Sequence, residues 1–453
     1  MLMNPSIFRE YDIRGVEGKD FDEGFAHILG RAVARVITRS GGHQVILGRD
    51  CRLSSPSLSR ALCEGMMRSG LEVTDIGVST TPMHYFSLFN LEAHGGVQVS
   101  GSHNPPDQNG FKISLGHDQL YGAGIQELKT IIQTEDFPAG VGSSREYNIA
   151  DEYIRYITDN IKLSRPMKVV VDAGNGTAGP FARPILEKLG CEVIELYTEM
   201  DGRFPNHHPD PTVPENLVDL RKEVLDAGAD VGIGYDGDAD RIGVIDERGE
   251  IVWGDILMIV LSRAVLEEVP GATIVGEVKC SHRLFNDIEK HGGRGVMWKA
   301  GHSLIKARMR ELGAELGGEM SGHIFYQHRY FGFDDAIYTG CRLLELMSRS
   351  GKKLSEILSD VPPAFSTPEV RIPSSDESKF KIVDQAKEYF RDRYKTIEVD
   401  GVRVVFPDGW GLVRASNTQP MLVMRFEAES QERLAEIRNI VESKVNELNQ
   451  GAA

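Results

Sequence analysis

The chain has no apolar run long enough to cross a bilayer. Stretches such as Ile256 to Leu261 fall far short of the roughly 20 residues a helical span requires. The opening residues, Met-Leu-Met-Asn-Pro-Ser, hold no basic segment followed by an apolar one, so no secretory leader is expected. Cysteine is scarce: Cys51, Cys63, Cys191, Cys280 and Cys341 are odd in number, scattered and without CxxC spacing. That argues against a disulfide framework or a zinc site and for reduced thiols in a cytoplasmic protein. Positive charge is also in deficit, with 51 Lys and Arg against 67 Asp and Glu, a formal net charge of -16. So acidic a chain repels nucleic acid in general, and any anion site must be built locally from specific Arg, Lys and His side chains. Neither a membrane nor a nucleic acid is expected as partner, and the chain is expected to act as a monomer.

At 453 residues the chain is too long for one core and implies about three or four domains. Helical spacing over 21–39 (Phe25, Ile28, Leu29, Ala32, Val33, Val36, Ile37) is followed by a buried-strand run at Val45-Ile46-Leu47. A helix over 56–69, a strand over 73–76, a helix over 83–90 and a strand over 97–99 complete a first α/β round. The alternation restarts with a helix over 150–162 and strands at 168–172, 193–196 and 231–234, and again with a helix over 256–268 and a strand over 273–278. Such alternation predicts mostly parallel sheets covered on both faces. Pro362, Pro363 and Pro368 mark a linker. Beyond it, strands at 402–406, 411–414 and 422–427 lie between helices over 378–393 and 431–448, a smaller α+β unit. The expected boundaries are 1–148, 149–250, 251–363 and 364–453.

Four segments carry chemistry. Val97-Gln98-Val99-Ser100-Gly101-Ser102-His103-Asn104-Pro105-Pro106 reads as a strand running into a stiff, exposed loop that continues through Asp107-Gln108-Asn109-Gly110-Phe111-Lys112. Rigidity of that kind suits a hydroxyl, Ser102, that takes part in covalent transfer. A hydrolase dyad with His103 is disfavoured, because no GxSxG elbow surrounds the serine. Tyr235-Asp236-Gly237-Asp238-Ala239-Asp240-Arg241 places carboxylates at alternate positions after a buried strand, an all-oxygen set that suits Mg2+. A calcium loop using Asp236, Asp238, Asp240 and Glu247 is disfavoured, since Arg241 stands where that loop needs its turning Gly. Gly317-Gly318-Glu319-Met320-Ser321-Gly322-His323 offers an acceptor, a hydroxyl and an imidazole to sugar hydroxyls, with basic groups from Lys279 and His302 at neighbouring strand ends. Arg414-Ala415-Ser416-Asn417-Thr418 forms a phosphate cradle between two strands. A rival of another class is an NAD-dependent oxidoreductase, from the GxGxxG match at Gly174 to Gly179, although no hydride-transfer site accompanies it.

Together the Ser-Gly-Ser-His-Asn-Pro-Pro-Asp-Gln-Asn-Gly-Phe-Lys, Asp-Gly-Asp-Ala-Asp-Arg, Gly-Glu-Met-Ser-Gly-His and Arg-Ala-Ser-Asn-Thr segments resemble the α-D-phosphohexomutase superfamily, most closely its phosphomannomutase/phosphoglucomutase branch. The resemblance runs from Tyr11 to Thr418. It implies three related α/β sandwich domains with mixed sheets plus a C-terminal α+β lid around a central cleft. It implies Ser102 as phosphoserine; Asp236, Asp238 and Asp240 with a phosphoserine oxygen as the Mg2+ set; Glu319 and Ser321 as readers of sugar hydroxyls. Arg414, Ser416, Asn417 and Thr418 would grip the phosphate not being transferred. Tyr11, Arg14, Lys112, Arg241, Lys279, His302 and His323 would line the cleft, with Arg14, Lys112 and His323 as candidates for proton transfer. The implied reaction interconverts hexose 1-phosphate and hexose 6-phosphate through a hexose 1,6-bisphosphate, which also serves as activator. Mannose and glucose phosphates are the expected substrates, with phosphoglucosamine mutase as the near alternative.

Overall fold

The computed structural model describes residues 3–416 and 419–451. Four sheets form, and the first three repeat one plan. In the first, Gln44–Arg49 lies parallel to Glu72–Val78 and to Gly95–Val99, and Gln108–Leu115 returns antiparallel beside Gly95–Val99. In the second, Lys168–Asp172 lies parallel to Glu192–Leu196 and Val231–Tyr235, and Ile242–Asp246 returns antiparallel. In the third, Thr273–Glu277 lies parallel to Arg294–Trp298 and Leu316–Gly318, and Ile324–Tyr326 returns antiparallel. The sheets are therefore mixed rather than mostly parallel. The fourth sheet is antiparallel throughout, with Met421–Ala428 returning beside Gly409–Ala415.

This plan positions the chemistry. In each unit the hairpin formed by a strand and its antiparallel successor encloses one loop: 100–107, 236–241, 319–323 and 416–420. They are the four segments singled out in the sequence. Residues 108–112, read from sequence as a continuation of an exposed loop, belong instead to the largely buried strand Gln108–Leu115. The lysine in its centre is a strong signal against burial until its carboxylate partners, distant in sequence, are known. The three-residue strands Leu316–Gly318 and Ile324–Tyr326 are too short to show a period.

Helix Thr81–Asn90 joins the first three units. Thr80 caps it by accepting from the Met83 N–H at 3.1 Å, and Pro82 occupies its first turn, where a missing N–H costs nothing. Tyr85 and Phe86 are buried against Tyr153, Phe331 and Phe333, within a core continuous through all three units. Burial contributes about 1.5–3 kcal/mol per large apolar side chain, enough to fix the three units as one body. The fourth unit has its own core, including Ile382, Val404, Met424, Phe426 and Val441. It meets the third through Val278, Trp410 and Leu412. Among the described residues no helix is long and apolar enough to cross a membrane.

Candidate active site

Ser102 is not on an exposed turn. It is 2% accessible, has a left-handed backbone (φ +49°), and its Oγ donates to Asp236 Oδ2 at 2.8 Å. The loop is held from inside by Arg52, whose buried guanidinium donates to the carbonyls of Ser102, Asn104, Pro105 and Gln108. Asp50 fixes Arg52 at 3.2 Å and accepts from the Gly101 N–H at 3.0 Å. A buried charge network holds the loop's shape. Nothing in the local pattern marks Arg52 for this task.

The acidic loop lies directly against it. A Cβ on Gly237 would stand 2.4 Å from the Ser102 carbonyl oxygen, so only glycine permits this approach. Asp236 Oδ1 accepts from the N–H groups of Asp240 and Arg241 at 3.0 and 3.1 Å. Asp238 Oδ2 accepts from Thr81 Oγ1 at 2.6 Å, Ser100 Oγ at 2.7 Å and Lys112 Nζ at 2.9 Å. Lys112 also pairs with Asp240. The acidic loop of the second unit is thus anchored on the first, which keeps serine and carboxylates in register.

Three buried carboxylates share one directly bonded lysine, with the charges of Arg241 and Arg14 also acting on them. Burial, Asp240 and Asp238 push the Asp236 carboxyl well above the usual range. Burial would also raise Asp238, but Lys112 and the hydroxyl donors of Thr81 and Ser100 hold it below its ordinary value. Burial would depress the Lys112 ammonium; Asp238 and Asp240 outweigh it and hold it well above. Oδ1 of Asp238 and Oδ1 of Asp240 are buried without a hydrogen-bond partner. Carboxylate oxygens of Asp236, Asp238 and Asp240 all lie within 4.8 Å of one another. Unpaired oxygens and an all-oxygen donor set fit a hard divalent cation.

Around this centre, Arg14 pairs with Asp12 at 2.6 Å and donates to Asn104 Oδ1 at 3.1 Å, which ties it to the serine loop. Arg241 Nε donates to His323 Nε2 at 3.0 Å. The His323 ring lies 5.4 Å from His302, and His302 lies 5.8 Å from Tyr11, centroid to centroid. This row of rings leads to a second cluster. There Glu319 accepts from the Gly301 N–H at 2.7 Å, and Lys279 pairs with Glu277 at 3.4 Å and Glu369 at 2.9 Å. Burial, outweighing Lys279, pushes Glu277 up to about 7. Arg414 pairs with Asp400 at 2.9 Å, and the same oxygen of Asp400 accepts from the Ala300 N–H at 3.1 Å. Ser321 is half-buried on the Glu319 turn, and Ser416 is buried beside Arg414. Asn417 and Thr418 lie outside the described residues. Sequence reasoning missed Arg52, Asp334, Asp400 and Glu369. Each is a partner of a site residue rather than a member of a motif, so no local signal points to it.

The glycine-rich turn at 174–179 is used from behind. Its Thr177 N–H and Oγ1 both donate to the Gly237 carbonyl, at 3.0 and 3.1 Å, and a Cβ on Gly176 would stand 2.7 Å from that oxygen. The turn is a buttress for the acidic loop.

Four α/β-type units, a buried serine held against an acidic triad, and a second cluster that holds Lys279 and Arg414 suit a phosphoryl-transfer class of protein. Comparison with known proteins agrees. The chain matches phosphoglucomutase/phosphomannomutase alpha/beta/alpha domains I, II and III over residues 5–139, 151–249 and 253–365, and the C-terminal domain over 369–444. It is 46% identical over 444 residues to a phosphomannomutase/phosphoglucomutase of Pseudomonas aeruginosa, covering 97% of this chain and 95% of that one. It is 45% identical over 449 residues to a phosphoglucomutase of Neisseria meningitidis, covering 97% of each. A solved phosphoglucomutase/phosphomannomutase family protein of Burkholderia thailandensis superposes with a TM-score of 0.95 at 43% identity, covering 100% of this chain and 99% of that one. The chain belongs to the phosphoglucomutase/phosphomannomutase family.

Proposed function

We propose that this chain is a phosphohexomutase that interconverts hexose 1-phosphate and hexose 6-phosphate, acting on mannose and glucose phosphates. The observation that carries this reading is the 2.8 Å contact of Ser102 Oγ with an acidic triad whose remaining oxygens are buried and unpaired. Asp236, Asp238, Asp240 and an oxygen on Ser102 would hold Mg2+, which supplies charge neutralisation at the phosphoryl oxygens when bound.

The chain's own residues account for the rest. Ser102 carries a phosphoryl group; its P–Oγ bond breaks as a new P–O bond forms to the sugar hydroxyl, and the Oγ left behind takes up a proton to become the hydroxyl that donates to Asp236 here. The sugar hydroxyl's proton passes to His323 Nε2, whose lone pair Arg241 answers in this structure. Lys112 and Arg14 balance charge on the transferring group, which needs positioning and electrostatics more than covalent help. Glu319 and Ser321 read sugar hydroxyls, and Lys279 and Arg414, with Ser416, Asn417 and Thr418, grip the standing phosphate. Tyr11 and His302 line the path between the two clusters. The hexose 1,6-bisphosphate so formed reorients and returns its other phosphate to Ser102. In this structure Asp400 and Glu369 occupy Arg414 and Lys279, as a phosphate would.

Phosphorus NMR on mannose, glucose and glucosamine 1-phosphates, with Mg2+ and a trace of glucose 1,6-bisphosphate, tests the reading. Mannose and glucose 1-phosphates are expected to convert to the 6-phosphates, with turnover lost in EDTA and restored by Mg2+. Conversion of glucosamine 1-phosphate alone would replace the substrate assignment. Interconversion of none would end the mutase reading.

A further inference from the structure

We infer that Asp334, held by Lys306, is the positioning residue that fixes the orientation and tautomer of His323; the inference rests on the reading of His323 as proton acceptor. The two edges of the His323 ring face different chemistry. Arg241 Nε, a donor with no lone pair to offer, lies 3.0 Å from Nε2, so Nε2 accepts and the proton of the neutral ring sits on Nδ1. Nδ1 faces two acceptors. The Asp240 carbonyl at 3.1 Å takes the hydrogen bond, and Asp334 Oδ2 stands beside it at 2.9 Å.

That carboxylate oxygen has no hydrogen bond of its own, and Asp334 is fully buried. Its Oδ1 accepts from Lys306 Nζ at 3.0 Å. Lys306 in turn donates to Gln119 Oε1 at 3.1 Å and sits 4.2 Å above the Tyr85 ring. The opposite tautomer, or a flipped ring, would set a lone pair or a C–H edge against both oxygens on the Nδ1 side. The ring faces leave little freedom, with the His302 and Phe325 ring centroids 5.4 and 6.3 Å away. Asp334 and Asp240 together therefore keep the Nε2 lone pair turned away from them, where a sugar hydroxyl can replace Arg241. Lys306 compensates the Asp334 charge, so the carboxylate stays in place without a second ligand.

Asp334→Asn tests this at nearly constant volume. The expected result is a fall in kcat of about 10²-fold, the low end of what a positioned general base contributes, with KM for hexose 1-phosphate unchanged within about twofold. In protein labelled with 15N-imidazole histidine, the His323 signals, assigned by their loss in His323→Ala, should move from a pure Nδ1–H tautomer to a mixture. Lys306→Met provides a second variant, because Lys306 borders a cavity of about 480 Å³ lined also by Tyr85, Phe89 and Phe331, which leaves room for the replacement. A smaller kcat loss, about tenfold, is expected there. An inactive His323→Ala beside an Asp334→Asn variant with unchanged kcat, or with a raised KM alone, would overturn the inference. An active His323→Ala would instead overturn the reading of His323 beneath it. Should Asp334→Asn fail to fold, unchanged kcat and unchanged His323 signals in Lys306→Met would overturn the inference.

Discussion

Ser102 sits where a surface serine would not: sealed from solvent, with its hydroxyl turned to Asp236 and its carbonyl pressed against Gly237. The closeness of those two loops is the residue-scale basis of the mechanism, and it can be tested without touching a reacting group. In Gly237→Ala the new Cβ would stand 2.4 Å from the Ser102 carbonyl oxygen, forcing the loops apart. The expected cost is about 1–3 kcal/mol in stability from overpacking. A displacement of that size is expected to lower kcat by about 10²-fold. Urea denaturation and steady-state kinetics on one preparation measure both; a variant with native kcat would show that the spacing does not matter. At this scale the sequence was informative where a residue's own type announces its chemistry. The aspartates of 236–240 and the serine in its glycine turn are of that kind. It was silent on Arg52, Asp400 and Asp334, whose value lies in partners remote along the chain.

At the scale of elements, helix Thr81–Asn90 joins the first three units and anchors the acidic loop. Thr81 Oγ1 and its backbone N–H bond the side chain and carbonyl of Asp238, at 2.6 and 2.9 Å. The same helix buries His84, neither of whose ring nitrogens finds a partner. Burial, with Lys112 and Lys306 nearby, lowers its pKa to about 3. In the unfolded chain the ring titrates at about 6.5, so below that pH the unfolded state binds a proton that the folded state refuses. Stability from this group is complete above pH 6.5 and falls as the pH drops toward the folded value. His84→Leu should therefore reduce the loss of unfolding free energy between pH 7.5 and 5 by about 2 kcal/mol, read from urea titrations at both values. An identical acid loss in variant and parent would contradict the assignment. Helices and central strands of this kind were legible from periodicity. Of the antiparallel return strands, Met421–Ala428 was legible, but Lys112 interrupts Gln108–Leu115 and Ile324–Tyr326 is only three residues long.

On the scale of the whole molecule, one core cluster runs through the first three units, the first of which also has a second cluster of its own, while the fourth has a separate core and docks through a charged seam. Arg403 lies 3.6 Å over the Trp410 ring and donates to the Cys280 carbonyl at 2.8 Å. Trp410 Nε1 and Ser281 Oγ both donate to Glu427 at 2.9 Å, and Arg425 pairs with Asp255 at 3.2 Å. A seam made largely of buried polar groups depends on keeping every partner. Trp410→Ala is expected to loosen the fourth unit and leave the other three intact. KM for hexose phosphate should rise by about tenfold or more, since the standing phosphate loses its grip. Limited proteolysis should then cut near Pro362 to Pro368. Unchanged KM and proteolysis would mean that the seam does not hold the fourth unit. The change of unit order after that proline stretch was visible in the sequence; the seam was not, since its charges read as ordinary surface residues.

All of these effects converge on one serine. The most direct measurement follows 32P from hexose 1,6-bisphosphate labelled on both phosphates, incubated with the purified protein and Mg2+, then chased with unlabelled mannose 1-phosphate. Label is expected on the tryptic peptide containing Ser102, followed by its transfer into mannose phosphates during the chase, and neither in Ser102→Ala. Full mutase turnover in Ser102→Ala, or label carried on another residue, would contradict it.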